Sequence, residues 1–285
     1  MSKAPARHYA EVIGDPIYQS KSPLIHNFWL EKLGLDAEYR ATRVRAEDLA
    51  AYLAARRIDT DWRGCNVTIP HKQAALKLVD APLSTALKVG AVNCIYRGRS
   101  NLLGGSLGGE NSDVEGVREA LGLGDREPGV VCLIGAGGAA RAALHALDLA
   151  GIDELRLLVR RPEQGIALLD EMRLRGQVYR LGHADKGLAG ATTVINASPM
   201  GMAGKQRMDP AILDALVLTD PEALVFDMVY APLETELLTR ATGLERTPVD
   251  GLVMLIGQAE LAFGLFFNAA APRQFDAELR RLLTA

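Results

Sequence analysis

A glycine-rich run at residues 135–140 (GAGGAA) has the residue types and the spacing that hold phosphate groups. Gly135, Gly137 and Ala140 match the pattern G-x-G-x-x-G/A, in which small residues permit a tight turn, a close approach of the backbone to a pyrophosphate and tight helix packing. The run follows five apolar residues at 130–134, which predict a buried strand, and it opens a predicted helix. This strand–loop–helix context favours a dinucleotide site over a turn of small residues without a ligand.

Two arginines, Arg160 and Arg161, follow the next predicted strand, which ends at Val159. A carboxylate at this point would receive the ribose 2′-hydroxyl of NAD, whereas guanidinium groups would bind a 2′-phosphate. The two arginines therefore predict NADP as the cofactor, with NAD as a weaker alternative. The other interpretation is a pair of solvated arginines at a strand end.

Polar residues of the first half form a second group that could do chemistry. In residues 66–72 (NVTIPHK), Asn66 and Thr68 alternate with apolar neighbours, so both are expected on one face of a strand. Lys72 follows in the first turn of a predicted helix, where a partly buried amine could move a proton to or from a ligand. An exposed lysine on a helix surface is the more ordinary interpretation of Lys72. Ser22, which precedes a proline, has a complete explanation as a helix cap.

The elements that must position these residues alternate between strand and helix, a pattern typical of α/β sheets. The predicted strands lie at residues 9–13, 38–44, 65–69, 91–96, 130–134, 155–159, 178–181, 193–196 and 224–228. The predicted helices lie at residues 22–33, 47–57, 71–78, 114–121, 138–150, 162–175, 252–268 and 273–283. Leu102 and Leu103 are expected to pair beside the strand at 91–96.

Composition narrows the class of protein. The length of 285 residues predicts about two domains. Lys and Arg number 32 and Asp and Glu 35, a net charge of −3 that disfavours nucleic acid as a partner. The 3 cysteines lack paired spacing and the 5 histidines lack metal-ligand spacing, so neither a disulfide framework nor a metal is expected. With no apolar run of about 18 residues and no apolar leader, a cytoplasmic protein without a membrane partner is expected.

Short motifs across nearly the whole chain together resemble the shikimate dehydrogenase family. They are residues 14–17 (GDPI), 20–23 (SKSP), 26–27 (HN), 66–72 (NVTIPHK), 90–93 (GAVN), 111–113 (NSD), 135–139 (GAGGA), 196–202 (NASPMGM), 227–230 (DMVY) and 250–258 (DGLVMLIGQ). Each motif is short, but their joint occurrence in this order is highly specific.

The resemblance implies an α/β fold of two domains. A substrate-binding domain would cover residues 1–112, and a Rossmann-type NADP-binding domain would cover residues 113–250. The C-terminal helices, residues 251–285, would return to the first domain, with the active cleft between the two domains.

The resemblance also implies roles for individual residues. Lys72 and Asp113 would form the catalytic pair. The substrate-binding residues would be Ser20, Ser22, Asn66, Thr68, Asn93, Tyr230 and Gln258. The cofactor-binding residues would be Gly135, Ala136, Gly137, Gly138, Ala139, Arg160, Arg161, Ser198, Met200, Met228 and Gly251. The implied reaction is the reversible NADP-dependent interconversion of shikimate and 3-dehydroshikimate, in the chorismate route to the aromatic amino acids.

Several positions depart from the pattern of the family. Val114 follows the catalytic aspartate where the family usually has Gly, and Ser112 replaces a usual Thr. Val159 stands where members that use NADP often carry Asn, and Arg161 where Thr is common. The alternatives are therefore a quinate/shikimate dehydrogenase, a member acting on a related cyclitol acid, or a ligand sensor without catalysis. The oligomeric state, monomer or homodimer, stays open.

Overall fold

A computed structural model describes residues 8–98 and 105–285 and divides into two compact units. The first unit contains the described residues up to Ser112 together with Gln258–Ala285, and the second unit is Asp113–Gly257. The chain re-enters the first unit at Gln258, inside a helix that begins at Gly251.

The first unit is a sheet covered by helices. Its described strands are β1 (His8–Gly14), β2 (Ala37–Arg43), β3 (Trp62–Val67), β4 (Ala81–Pro82), β5 (Cys94–Arg97) and β6 (Leu107–Glu110). Its helices up to Ser112 are α1 (Ser22–Leu33), α2 (Leu49–Ile58), α3 (Lys72–Leu76) and α4 (Ser84–Val89). The described strands have the order β2-β1-β3-β5-β6-β4.

The sheet of the first unit is mixed. β1 pairs in parallel with β2 and β3, as the alternation of strand and helix predicts. β5 is antiparallel to both β3 and β6. Leu102 and Leu103, predicted beside β5, lie outside the described residues.

Alternation along the strands builds a core on each face of this sheet. Ile13, Leu53 and Trp62 belong to one buried cluster, and Val12 and Phe266 belong to a cluster on the other face. Because both faces are covered, a ligand of this unit is expected at the loops that follow the strands.

Two local expectations for the first unit are wrong. The strand predicted at residues 65–69 ends at Val67, and Ile69, which the prediction placed in that strand, is 75% exposed. α1 begins at Ser22 with Lys21 as its N-cap, and no side chain caps the helix. Instead, the hydroxyl oxygen of Ser20 accepts a hydrogen bond from the N–H of Ser22 at 3.3 Å.

The second unit is a parallel sheet with helices. Its strands are β7 (Val130–Ile134), β8 (Glu154–Val159), β9 (Gln177–Arg180), β10 (Thr193–Asn196), β11 (Leu224–Asp227) and β12 (Thr247–Val249). Its helices are α5 (Asp113–Leu121), α6 (Gly138–Ala150), α7 (Pro162–Met172), α8 (Ala184–Leu188), α9 (Pro210–Ala215) and α10 (Glu236–Gly243). The last helices of the chain are α11 (Gly251–Phe267) and α12 (Asp276–Thr284).

The strands of the second unit have the order β12-β11-β10-β7-β8-β9, and every pairing is parallel. The central strands read as nearly continuous apolar runs because consecutive residues, which point to opposite faces, are buried. The order reverses at β7, and ligands of such sheets bind where the order reverses, beyond the carboxyl ends of the strands.

Candidate active site

The polar residues predicted in the first unit lie at the carboxyl ends of its parallel strands or in the loops that follow. Asn66 is next to the last residue of β3, and Thr68 follows the strand. The N–H of Thr68 still donates to the Ile13 carbonyl at 2.9 Å, so β1 holds the loop beyond β3. Ser20 and Ser22 lie after β1, and Ser22 is buried.

Asn66 is buried with both ends of its amide in contact with other residues. Its Oδ1 accepts a hydrogen bond from the Tyr39 hydroxyl at 2.6 Å, and its Nδ2 donates to the Asn93 carbonyl at 3.4 Å. A carbonyl can only accept, so the Asn93 carbonyl identifies the amide end that faces it as nitrogen and the end that faces Tyr39 as oxygen. Sequence reasoning missed Tyr39. The available signal was its place inside a predicted strand, because a buried tyrosine hydroxyl needs a partner.

Lys72 is the first residue of α3, and two contacts hold this end of the helix. His71, which is 1% exposed, contacts the Val44 carbonyl oxygen through Nε2 at 2.7 Å. The carbonyl of Lys72 accepts a hydrogen bond from the N–H of Val92 at 2.9 Å. These contacts tie the start of α3 to the loops that follow β2 and precede β5, so the lysine side chain projects from a rigid base.

Asn93, Ser112 and Gln258 form a buried network of hydrogen bonds. The N–H of Ser112 donates to Asn93 Oδ1 at 2.7 Å, and Asn93 Nδ2 donates to Ser112 Oγ at 3.1 Å. Ser112 Oγ lies 3.3 Å from Gln258 Oε1. The network brings together two predicted substrate-binding residues that lie far apart in the sequence.

The predicted catalytic residue Asp113 follows Ser112 in the sequence; it is the first residue of α5 and is 7% exposed. Glu110 lies two residues before Ser112 in the sequence, and burial raises the pKa of its carboxyl. The N–H of Asn111 donates to Glu110 Oε1 at 2.7 Å and favours the charged form. Asn111 also donates to the Ala91 carbonyl at 2.9 Å, which holds the loop before Asn93.

The second unit contains a cavity of about 510 Å³ at the carboxyl ends of β7, β8 and β10. Five of its lining residues were predicted from the sequence as cofactor-binding residues beside the glycine turn or after β10: Gly135, Ala136, Gly137, Ser198 and Met200. Arg160 also lines the cavity, whereas Arg161 does not. Gly138, Ala139, Met228 and Gly251 lie outside its lining.

The glycine turn fits a dinucleotide. Gly135 has a φ of 110°, and a Cβ there would lie 3.1 Å from the Ala197 carbonyl oxygen, so a larger residue is excluded. A Cβ at Gly137 or Gly138 would meet no atom within 4 Å, so the backbone at the start of α6 is open to a ligand. Free N–H groups at the start of a helix of 13 residues bind phosphate oxygens.

Buried polar residues hold the loop after β10. Asn196 Nδ2 donates to Asp227 Oδ1 at 2.9 Å, and Asn196 Oδ1 accepts from the Ser198 hydroxyl at 2.7 Å. Asp227 is fully buried and also accepts from the Thr235 hydroxyl at 2.7 Å. Burial raises the pKa of the Asp227 carboxyl, against three hydrogen bonds that favour its charged form. These residues hold Ser198, and neither Asn196 nor Asp227 lines the cavity.

Lys205 and Gln206 also line the cavity at the carboxyl ends of β7, β8 and β10, which we call the nucleotide cavity. Sequence reasoning missed both residues. They lie in the loop between β10 and α9, and their side chains are exposed. Loop residues carry no periodic pattern, so no signal in the sequence marks which of them face a cavity.

Tyr230 lies in the second unit, three residues beyond the end of β11, and burial raises the pKa of its hydroxyl. Met228 and Gly251 lie close to each other in the same unit, since a Cβ at Gly251 would lie 2.5 Å from the Met228 carbonyl oxygen. Gly251 is therefore required for this close approach of two backbone segments.

A separate cavity of about 470 Å³ lies at the amino ends of β1, β2 and β3. It contains none of the residues predicted to bind substrate or cofactor. Within residues 8–98 and 105–285, no cluster of three or more His, Cys, Asp or Glu could hold a metal ion. The helices of the same residues include none with the length and apolar character needed to cross a bilayer.

The fold and the cavity define the class of protein. The molecule has a mixed α/β unit that carries buried amides and a lysine, and a parallel Rossmann-type unit with a glycine-rich turn. It is therefore a two-domain α/β protein with a dinucleotide-binding domain.

Comparisons with known proteins give the family. Residues 12–95 match the family described as "Shikimate dehydrogenase substrate binding domain". The chain is 48% identical over 285 residues to the shikimate dehydrogenase (NADP(+)) of Sphingopyxis alaskensis, with 100% of both chains covered. It is 40% identical over 278 residues to that of Rhodopseudomonas palustris, covering 96% of this chain and 94% of the relative. The chain belongs to the shikimate dehydrogenase family.

Solved structures agree with the fold. Shikimate 5-dehydrogenase of Thermus thermophilus, in complex with NADP(H) and shikimate, has a TM-score of 0.83 at 33% identity and covers 97% of this chain and 99% of that chain. The enzyme of Listeria monocytogenes, in complex with shikimate and NAD, has a TM-score of 0.85 at 26% identity, with 99% and 98% covered. The predicted fold class and the predicted family are confirmed.

Proposed function

We propose that this protein catalyses the reversible NADP-dependent oxidation of shikimate to 3-dehydroshikimate, in the biosynthesis of aromatic amino acids through chorismate. One observation carries the proposal: the same chain contains both a dinucleotide site and a polar site. The second unit has the glycine turn that fits a dinucleotide, and the first unit has buried amides together with Lys72 at the start of a helix. The names of the Sphingopyxis and Rhodopseudomonas relatives, which state shikimate and NADP(+), support it.

The substrate is a cyclic alcohol with one carboxylate, and its polar groups need donors and acceptors in fixed positions. The residues we assign to this task carry hydroxyls and amides: Ser20, Ser22, Asn66, Thr68, Asn93, Tyr230 and Gln258. Asn66, Asn93 and Gln258 are each less than 8% exposed, so their amides are held in place before the substrate arrives. On this proposal the first unit, which contributes all of these residues except Tyr230, is the substrate domain.

Oxidation of the ring alcohol removes a hydride from carbon and a proton from oxygen. We assign the proton to the amine of Lys72, which would act as general base in this direction and general acid in the other. Asp113 would orient the amine and stabilise its ammonium form. The rigid start of α3 supports this role, since an amine that moves a proton must stay within hydrogen-bond reach of the hydroxyl.

The second unit would hold NADP, which when bound supplies the hydride acceptor. The N–H groups at the start of α6 would receive the pyrophosphate. The guanidinium of Arg160 would bind the 2′-phosphate, because a planar cation with several donors matches phosphate oxygens. The 3 cysteines are buried and free, which suits the reducing cytosol where we place this enzyme.

The test is an assay of the purified protein with shikimate or quinate, each combined with NADP⁺ or NAD⁺. We expect shikimate with NADP⁺ to have the highest kcat/KM of the four combinations, measured from the absorbance of the reduced nucleotide. A higher kcat/KM with quinate than with shikimate would assign the alternative activity, that of a quinate/shikimate dehydrogenase. The reason to consider this alternative is that Val114 replaces the family's usual Gly. No turnover of either acid with either nucleotide would overturn the proposal.

A further inference from the structure

Ser112 lies between the end of β6 and the start of α5 and is fully buried. It contacts the side chains of Asn93 and Gln258, which belong to two distant parts of the chain. Its backbone N–H and its hydroxyl both take part, so one residue determines the orientation of two amides.

The backbone of Ser112 determines the orientation of the first amide. An N–H can only donate, so the atom of Asn93 that lies 2.7 Å from the Ser112 nitrogen must be its carbonyl oxygen. The other end of Asn93 is then the amide nitrogen, which donates to Ser112 Oγ at 3.1 Å. The backbone of Asn93 is held as well, since its N–H donates to the Glu110 carbonyl at 3.0 Å.

The hydroxyl of Ser112 determines the orientation of the second amide. A hydroxyl has a single proton to donate, and two oxygens lie 3.3 Å from Oγ: Asn93 Oδ1 and Gln258 Oε1. Asn93 Oδ1 already accepts the shorter bond from the Ser112 N–H, so donation to Gln258 satisfies both carbonyls. The result is a directional chain from Asn93 Nδ2 through the Ser112 hydroxyl to Gln258 Oε1.

This chain of bonds has a consequence for the ligand. The carbonyl of Gln258 is directed at Ser112, so the amide nitrogen at the opposite end of the group is directed away from it. A donor in a fixed orientation is what recognition of a hydroxyl or carboxylate oxygen requires. Without the hydroxyl of Ser112, the carbonyl of Gln258 would lose this donor, which favours the orientation with the amide nitrogen directed away from Ser112.

We propose that Ser112 is a positioning residue, which orients the amides of Asn93 and Gln258 toward shikimate without touching it. The inference rests on the proposed function, because that function makes these two amides substrate ligands. The N–H that orients Asn93 belongs to the backbone and persists in any variant. The group that orients Gln258 is the hydroxyl, which Ser112→Thr keeps and Ser112→Ala removes.

The experiment measures the dissociation constant of shikimate by calorimetry, and KM and kcat, for Ser112→Ala, Ser112→Thr, Gln258→Ala and the double variant Ser112→Ala/Gln258→Ala. Ser112→Ala should weaken shikimate binding about five- to tenfold, the effect of one net hydrogen bond. It should raise KM more than it lowers kcat. Ser112→Thr should bind shikimate within about twofold of the wild type, because the hydroxyl persists.

The double variant tests whether Ser112 acts through Gln258. If it does, Ser112→Ala should weaken binding much less when Gln258 is already alanine than when it is present. A merely structural role would give the same factor in both backgrounds and would lower the Tm of Ser112→Ala and Ser112→Thr alike. Either of these results would overturn the inference.

Failure of the inference and failure of the proposed function give different results. If Gln258→Ala weakens shikimate binding while Ser112→Ala binds as the wild type does, the inference is wrong and the function stands. If the wild-type protein neither binds nor oxidises shikimate, the proposed function itself is overturned, and the inference with it.

Discussion

Replacement of Lys72 should separate chemistry from binding. The proposal makes its amine the group that moves the proton, whereas the amides and hydroxyls hold the substrate. Lys72→Gln should therefore lower kcat by about 10²–10⁴-fold, the usual contribution of a general acid–base group. The dissociation constant of shikimate should change far less. Steady-state kinetics and calorimetry on the same preparation measure the two effects.

The matched control for Lys72 is Lys88, a lysine of α4 that is exposed. Lys88→Gln removes the same charge and should leave kcat unchanged. A Lys72→Gln enzyme with nearly normal turnover would remove the lysine from the role of general acid–base.

Lys205 should contribute to the choice between NADP and NAD. It lines the nucleotide cavity together with Arg160, whereas Arg161 does not. An ammonium group near a 2′-phosphate favours the phosphorylated nucleotide. Lys205→Ala should raise the dissociation constant of NADP⁺ about three- to tenfold and leave that of NAD⁺ unchanged, as measured by calorimetry without substrate.

The control for Lys205 is Lys186→Ala, an exposed lysine of α8 that does not line the cavity. It should bind both nucleotides as the wild type does. If Lys205→Ala weakens NADP⁺ and NAD⁺ equally, the lysine contacts a group that both nucleotides share, and the assignment to the 2′-phosphate is wrong.

At the scale of elements, α1 packs on the first sheet through a stack of rings. His26 is fully buried and its ring stacks on that of Tyr39, with ring centroids 4.0 Å apart and an angle of 5° between the ring planes. The ring centroid of Phe263 in α11 lies 5.9 Å from that of His26. Since the hydroxyl of Tyr39 holds Asn66, the packing of α1 and α11 also supports the candidate site. Both ring nitrogens of His26 are buried without a hydrogen-bond partner among the described residues, so the ring must stay neutral.

This packing predicts a loss of stability in acid. Burial lowers the pKa of His26 from 6.5 to about 3, so below pH 6.5 the unfolded chain binds a proton that the folded protein excludes. Above pH 6.5 the histidine therefore leaves the free energy of unfolding unchanged. Between pH 6.5 and pH 3 it lowers the free energy of unfolding by up to about 1.4 kcal/mol per pH unit. His26→Phe keeps the stacked ring and should lose less stability on acidification than the wild type. Urea unfolding at pH 7 and pH 5 measures the difference.

The control for His26 is His183→Phe, since His183 is exposed. It should follow the acid profile of the wild type. An identical profile for His26→Phe and the wild type would show that His26 does not govern the acid sensitivity.

At the scale of the molecule, two units with separate cores should differ in stability. In the first unit, the buried carboxylate of Glu11 accepts hydrogen bonds from Thr42 and Tyr52 at 2.5 Å and from Arg56 at 2.9 Å. Glu11→Ala leaves Arg56 without this partner and should destabilise the first unit by about 3–5 kcal/mol. Binding of NADP⁺ should persist, because the cavity belongs to the second unit.

Differential scanning calorimetry with and without NADP⁺ measures this difference. The nucleotide should raise the melting temperature of the second unit in both proteins, because a ligand stabilises the state that binds it. The control is Arg40→Ala, which removes an exposed cation from β2 and should leave both transitions in place. Loss of nucleotide binding in Glu11→Ala would contradict the independence of the second unit.

Local signals were enough to predict much of the fold. The strand at Val130–Ile134 and the helix at Gly138–Ala150 were predicted with the observed bounds, because an apolar run, a glycine turn and a helix start act within a few residues. The strand at 65–69 was displaced, because its end depends on the pairing partners supplied by β1 and β5. The short elements β4, β6, β12, α4 and α8–α10 were missed, since few residues give no clear period.

The sequence by itself determined the family, the alternation of strands and helices, and the glycine turn, since each is encoded by neighbouring residues or by a set of short motifs. Only the tertiary structure decided that Tyr39 contacts Asn66, that Ser112 joins Asn93 to Gln258, and that Lys205 rather than Arg161 lines the nucleotide cavity. The physical reason is one of range. A backbone conformation follows from local sterics and periodicity, whereas a hydrogen-bond partner is whichever group the packing of distant segments brings within about 3 Å.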